Sequence, residues 1–392
     1  MKITRVSTLL LSATLPQERR WRSDLGTMVK ADIALVQVET DEGISGLGAA
    51  QGSPEVIKAM VEDELQPLLL GEDPTWTERL WAKMYNGSRF EPSLARGYSL
   101  QGHGRRGDMM AAIAGVDIAL WDIFGKVLGQ PIYKLLGAAR DRIRGYASGG
   151  WAPGEQAGEE IAGYIAKGFT AAKMRAEGMD GFSIPKSIRR IAAARKAIGP
   201  EVELFVDAHG SLNPSTAIRL AKRMEEYDVG WFEEPVSPDY HSGMAEVRAA
   251  TSVPIATGER ETTRFEFRDL LEKRAVDIIQ PDIAISGGFT ETRRIAAMAS
   301  AYGVRFAPHV WGSGVLFAAS IHIALSAPNC HIFEVSQARY GPLVYEIFTE
   351  PFDIREGHVY APKGPGLGFE LRPDVEKRFA YVPGPAYVYT SA

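Results

Sequence analysis

Cysteine is almost absent. Cys330 stands alone in 392 residues, so neither an internal disulfide nor a cysteine-rich metal site is available. No apolar run reaches the roughly 18 residues of a membrane span. There is no basic block to meet nucleic acid and no acidic tail to form a disordered arm, and the net charge is only −5. The remaining composition, 45% hydrophobic and 24% charged, is that of a soluble globular chain, and the length suits two domains. Near the start, Leu9, Leu10 and Leu11 form a short apolar patch that polar residues interrupt at strand-like alternation. This reads as a first strand and not as a signal peptide, which makes a cytoplasmic location the expectation.

What is present is a regular spacing. Short apolar stretches run five times into an ionisable residue, at Asp207, Glu233, Glu259, Asp282 and His309, with Glu334 as a weaker sixth. The steps between these positions are 26, 26, 23, 27 and 25 residues. Each step has room for one strand, one helix and two connections. Strands near 144, 171, 204, 231, 255, 278, 305 and 332 make eight, so the expected fold is α/β, a parallel barrel with its polar residues gathered at the C-terminal mouth. Upstream, residues 1–50 predict antiparallel strands with a turn at Asp41-Glu42-Gly43, and residues 54–87 and 109–128 predict helices. Two long polar segments, 14–30 and 87–107, read as mobile loops over a site. Trp21, Arg22 and His103 are their candidate substrate contacts. The cluster Gly364-Pro-Gly-Leu-Gly368 lacks the context of a phosphate loop and reads as a turn.

Asp207, Glu233 and Glu259, at three successive strand ends, are hard oxygen ligands of the kind that suits Mg²⁺. The alternative is three unrelated surface acids. Asp282 beside His309 would fix the imidazole tautomer and raise its basicity, giving a general base or acid, or else a structural pair. His209, two residues past Asp207, would point to the same side by strand alternation, either as a second acid or as a mere neighbour of the metal. Lys173 and Arg175 share one strand face and could neutralise substrate charge. Arginine is a poor base. Glu234 is expected behind the ligands or facing the helices. His241, His322, His331 and His358 fall in structural contexts.

Lys-Met-Arg at 173–175, Trp-Phe-Glu-Glu-Pro at 231–235, Gly258-Glu259, Gln-Pro-Asp at 280–282 with Gly287-Gly288, Pro308-His309, Glu334 and the segment Gly115–Asp122 together resemble the mandelate racemase subgroup of the enolase superfamily. The resemblance implies a modified (β/α)7β TIM barrel over 131–345 and an α+β capping domain over 1–130. It also implies a C-terminal segment over 346–392 that returns to the cap. It further implies one Mg²⁺ per subunit on Asp207, Glu233 and Glu259. Lys173 would contact the substrate carboxylate, His309 paired with Asp282 would remove the α-proton, and Glu334 would hydrogen-bond the resulting enediolate. The family's racemases usually have Lys-x-Lys where this chain has Lys173-Met-Arg175, which points away from racemisation. Asp-x-His at 207–209 resembles the arrangement in acid-sugar dehydratases, where the histidine protonates the departing hydroxyl. The expected activity is therefore a hydro-lyase giving a 2-keto-3-deoxy sugar acid. The alternatives are a cycloisomerase acting on a lactone or anhydro acid, a racemase or epimerase, and a silent binding member. The expected partners are a small acid sugar and further copies of the chain in a homo-oligomer, not nucleic acid or membrane.

Overall fold

The structure is a computed structural model that describes residues 1–23, 25–337 and 341–389. Residues 1–50 form five strands: β1 (Ile3–Thr14), β2 (Trp21–Ser23), β3 (Gly26–Met28), β4 (Lys30–Thr40) and β5 (Ser45–Ala50). β1, β4 and β5 make the expected antiparallel sheet. The segment 14–30 departs from the expected open loop. β2 and β3 form a hairpin, and residues Tyr387–Val388 add to its outer edge. Met28 is the register partner of both Trp21 and Tyr387, and such aromatic and apolar cross-strand pairs hold a short sheet together. Asp24 of that segment lies outside the described residues. The second expected loop, 87–107, is partly helical, with the helix Phe90–Arg96 ending on Gly97.

Helices follow over Pro54–Ala59, Gln66–Leu69, Thr77–Asn86 and Asp108–Leu128. The last is buried on nearly all sides because it is clamped between the cap sheet and the barrel. Its approach to β5 depends on glycine. A Cβ on Gly48 would fall 1.8 Å from the carbonyl oxygen of Gly115, and one on Gly46 would fall 2.0 Å from that of Ala119.

Past Pro131 the chain alternates strand and helix. The barrel strands are β6 (Arg142–Gly149), β7 (Ala171–Arg175), β8 (Glu203–Asp207), β9 (Val229–Glu233), β10 (Ile255–Thr257), β11 (Ile278–Ile279), β12 (Arg305–Phe306) and β13 (Phe333–Ser336). They pair in parallel from β6 to β12, and β13 returns to pair with β6. A parallel bridge between Phe306 and Cys330 closes the ring. Outer helices follow the first seven strands, beginning at Gln156, Ile184, Pro214, His241, Thr263, Gly288 and Gly314, and the chain leaves the barrel after the eighth strand. This is the parallel barrel that the spacing predicted, in the modified (β/α)7β form that the resemblance implied. Tyr146, Ala171, Phe205, Trp231, Ala256, Ile278, Ala307 and Ile332, one from each strand or its immediate edge, fill the interior. Phe205 and Trp231 stack with ring centroids 3.4 Å apart, and Tyr146 stands edge-on to both. The tail then adds the hairpin β14 (Ile354–Arg355) and β15 (His358–Tyr360) to the start of β6 and runs back to the cap. Among the described residues no helix is long and apolar enough to cross a membrane.

His322, on the helix Gly314–Ser326, joins three segments of the fold. Its Nδ1 accepts from Tyr133 N–H at 3.1 Å, and its Nε2–H donates to the Leu367 carbonyl at 3.0 Å. Burial pulls its pKa down to about 4, and His331 is pulled to about 4 in the same way. Above about pH 6.5 His322 is neutral in both the folded and the unfolded chain. Between pH 6.5 and 4 the unfolded chain gains a proton that the folded one refuses, so stability falls. The expected loss from His322 alone is about 3 kcal/mol by pH 4. Denaturant titrations from pH 7 to 4.5 should show this slope, and His322→Gln should remove its share and leave that of His331. At β5, Gly48→Ala should cost about 2 kcal/mol or more, because the atom it meets is backbone. Gly163→Ala, in a helix with open space around the new methyl, should gain about 0.5–1 kcal/mol. Equal melting temperatures for the two alanine variants would contradict this account of the cap.

Candidate active site

Parallel strands deliver their C-terminal residues to one rim. Asp207 and Glu233 are the last residues of β8 and β9 and are register partners, as are Arg175 and Asp207. Glu259, Asp282 and His309 lie just past the ends of β10, β11 and β12, and Glu334 lies within β13. A cavity of about 160 Å³ opens at this rim. Lys173, Arg175, Asp207, His209, Glu259, His309 and Glu334 line it, while Trp21, Trp151, Trp311 and Tyr387 form its aromatic side. Glu233 and Asp282 are buried behind this lining.

The charges are interlocked. The Lys173 ammonium is ion-paired with Glu233 Oε1, stands 3.1 Å from Glu334 Oε1 and lies 3.9 Å from Asp207 Oδ2. Arg175 donates to Asp207 Oδ2 at 2.8 Å, and the His209 backbone N–H donates to Oδ1 at 2.7 Å. His309 Nδ1 is 2.8 Å from Asp282 Oδ2, and the Ala284 N–H holds the other oxygen of Asp282 at 2.8 Å. Glu259 lies between the two imidazoles, with His209 Nε2 at 3.6 Å from Oε1 and His309 Nε2 at 3.8 Å from Oε2.

Proton affinities follow from these contacts. Burial would raise Asp207, but Arg175, Lys173 and His209 hold it at about 2. Burial pushes Glu233 up to about 7, with Asp207, Glu334 and Glu259 adding to the effect against Lys173. Burial opposes the His309 cation, yet Glu259, Asp282 and Glu334 raise its pKa to about 10. Glu334 is lowered despite burial, because Lys173 and His309 face it. Its Oε2 accepts from the Val310 N–H at 2.7 Å.

Asp207, Glu233 and Glu259 offer oxygen donors from neighbouring strand ends, which is the donor chemistry of Mg²⁺. Among the described residues no group of three such side chains is gathered closely enough to enclose an ion. The charge balance nonetheless fits a cation. Burial first, then Asp207, Glu334 and Glu259, push Glu233 toward neutrality against Lys173, and a cation beside its carboxylate would oppose both effects.

Some residues differ from their sequence-based placement. β8 ends at Asp207, and His209 reaches the cavity through a left-handed backbone with φ of 52°, not by strand alternation. Trp21 is on the cavity wall. Arg22 is exposed and off it. His103 lies in a separate surface hollow with Arg89, Arg105 and Arg106, so it does not join the rim. Glu234 is fully buried with neither carboxyl oxygen hydrogen-bonded, 3.5 Å from Arg260. Sequence reasoning missed Trp151 and Trp311. Trp21 and Trp151 have ring centroids 4.9 Å apart, and Trp151 and Trp311 5.9 Å. Trp151 lies two residues past Gly149, the end of β6, and Trp311 two residues past His309 in the loop after β12, and those positions were the available signal. Gln51 and Tyr387 gave none.

Comparison with known proteins accords with this geometry. Residues 8–137 match the mandelate racemase / muconate lactonizing enzyme N-terminal domain, and residues 156–375 match the enolase C-terminal domain-like family. The chain is 36% identical to D-galactarolactone cycloisomerase of Agrobacterium fabrum, over 97% of this chain and 99% of that one. It is 35% identical to arabinonate dehydratase of Saccharolobus solfataricus, over 89% and 90%. The crystal structure of an enolase superfamily member from Polaromonas sp. JS666 superposes with a TM-score of 0.89 at 35% identity, over 99% of this chain and 100% of that one. With the family models spanning both parts of the sequence and relatives matching end to end, this chain belongs to the mandelate racemase and muconate lactonizing enzyme subgroup of the enolase superfamily.

Proposed function

We propose that this chain is a Mg²⁺-dependent acid-sugar dehydratase, removing the proton α to a carboxylate and expelling the β-hydroxyl to give a 2-keto-3-deoxy acid. One observation carries the reading. Two imidazoles, His309 and His209, share one small cavity, each against a different oxygen of Glu259, and His309 is backed by the buried Asp282. That arrangement supplies a base for one proton and an acid for another, which an elimination needs.

Asp207, Glu233 and Glu259 would hold the Mg²⁺, whose charge beside the substrate carboxylate makes the α-proton acidic enough to remove. With its charge taken up by the cation, Glu259 would no longer be the leading influence that raises His309, and His309, with Nδ1–H committed to Asp282, would present a free Nε2 to that proton. Asp282 then stabilises the imidazolium. Lys173 contacts the substrate carboxylate. Glu334, fixed by the Val310 N–H at 2.7 Å, accepts a hydrogen bond from the enol hydroxyl. His209 protonates the departing β-hydroxyl, water leaves, and the remaining enol becomes the ketone.

The relative of 36% identity supports a second reading, cycloisomerisation. It would use the same abstraction by His309 but expel a ring oxygen, so no water would be lost. A racemase is disfavoured. Arg175 occupies the position where racemases of the family usually carry a basic lysine, and a guanidinium cannot accept a proton near neutral pH.

With Mg²⁺, a panel of five- and six-carbon aldonates and aldarates should yield keto acid. Chelation should stop the reaction, and added Mg²⁺ should restore it. His309→Asn should lower kcat by about 10²–10⁴-fold, and wild-type turnover in that variant would remove the base from the mechanism. His209→Asn should lose keto-acid formation by about 10²-fold while still exchanging the α-hydrogen in deuterated water. If exchange vanished together with elimination, His209 would not be the leaving-group acid. Product of unchanged mass formed from a lactone would favour the cycloisomerase.

A further inference from the structure

Glu233 is the most enclosed of the three rim acids proposed as ligands, at 1% exposure, and its two oxygens are treated differently. Oε1 is ion-paired with Lys173. Oε2 accepts two neutral donors, Trp231 Nε1–H at 2.9 Å and Gln280 Nε2–H at 2.7 Å. Neither donor has freedom to leave. The Trp231 indole is stacked on Phe205 at 3.4 Å with the ring planes 5° apart, so turning it would break the barrel's interior layer. Gln280 is 2% exposed, and its own N–H is bonded to the Thr257 carbonyl at 2.8 Å. A Cβ on the neighbouring Gly258 would fall 2.9 Å from that same nitrogen, which leaves the strand end no slack. Two neutral N–H groups stabilise a carboxylate without adding a competing positive charge, and they fix its plane.

We propose that Gln280 and Trp231 are positioning residues for Glu233, committing Oε2 so that Oε1, the oxygen that Lys173 now faces, is the one left for a divalent cation at the rim. The inference rests on Glu233 being a cation ligand, as proposed above. Partners of this kind around metal-binding side chains typically contribute 10–100-fold in affinity.

The test uses the full chain stripped with chelator and titrated with Mn²⁺, bound ion being read by electron paramagnetic resonance. Wild type should bind one ion per chain. Gln280→Met keeps the volume and removes the donor. Trp231→Phe keeps a ring in the stack and removes Nε1–H. Each should weaken Mn²⁺ by about 10–100-fold. Metal-free Gln280→Met should melt somewhat lower, having lost a buried donor to a carboxylate, so binding is read well below its melting temperature, where a merely structural role would leave the Mn²⁺ affinity of the folded protein unchanged. Should Gln280→Met fail to fold, Trp231→Phe decides alone. If Glu233→Gln abolishes binding while Gln280→Met and Trp231→Phe bind as wild type does, the positioning role is overturned and Glu233 remains a ligand. If wild type binds no Mn²⁺, or Glu233→Gln binds as tightly as wild type, the ligand assignment itself falls and this inference falls with it.

Discussion

A carboxylate stays ionised in a dry barrel mouth only when positive charge or N–H donors face it, and the rim of this protein meets that condition acid by acid. Asp207 has Arg175 and the His209 N–H, Glu334 has Lys173 and the Val310 N–H, and Asp282 has His309 and the Ala284 N–H. Lys173 is shared by three acids, which makes its ammonium the common counter-charge of the rim. Removing one partner from such a buried set is far costlier than replacing the whole set with apolar groups. Glu234 lacks hydrogen bonds at both oxygens, and burial together with Glu259 pushes its pKa well up. Its nearest cation is Arg260 at 3.5 Å, which offsets burial only in part.

This arrangement depends on layers below and above it. Below, the aromatic layer of Tyr146, Phe205 and Trp231 fixes the strands whose ends carry Lys173, Asp207 and Glu233. Above, the buried Asp122 ties the long cap helix to the cap sheet and to the tail. Asp122 accepts from the Leu47 N–H of β5 at 2.9 Å, from the Leu367 N–H of the tail at 2.8 Å and from Lys126 at 2.7 Å. The tail is thereby held against the long cap helix before it runs on to Tyr387 at the cavity. The aromatic side of the site is thus assembled from the cap hairpin, two barrel loops and the far end of the chain.

The parts of the molecule that could be read from the sequence are those set by local rules. Equal steps between strand-end acids reported the barrel, because each strand–helix unit has a fixed reach. Within 109–128, the stripe Ile113, Val116, Asp117, Leu120, Trp121 and Phe124 reported a buried helix, because its period is 3.6. What was not legible depends on contacts between distant segments. Nothing local announces that residues 21–28 pair with Tyr387–Val388, since no spacing rule links the two ends of a chain. His209 was placed at the rim by strand alternation, but a left-handed turn after Asp207 takes it there, and that turn depends on the Gly210 N–H reaching the Glu234 carbonyl at 2.8 Å. His103 and its arginines were grouped with the site because polar loops near a mouth commonly serve it. The loop instead turns onto the cap, where Arg105 pairs with Glu64 at 3.0 Å.

Arg175 shows how one substitution in a family pattern acts on two levels. At the level of chemistry, a guanidinium in place of a lysine removes a side chain that could exchange a proton on the second face of the substrate. At the level of electrostatics, it supplies a permanent cation 2.8 Å from Asp207 and is the leading influence that holds that acid at about 2 against burial. A lysine free to lose its proton could not guarantee that charge. Its backbone is braced as well, the Arg175 carbonyl accepting from the buried Arg190 guanidinium at 2.6 Å. On the proposed mechanism the same residue would therefore narrow the chemistry to one face, and its charge favours the ionised state of a neighbouring carboxylate, which is the state a hard cation requires of a ligand.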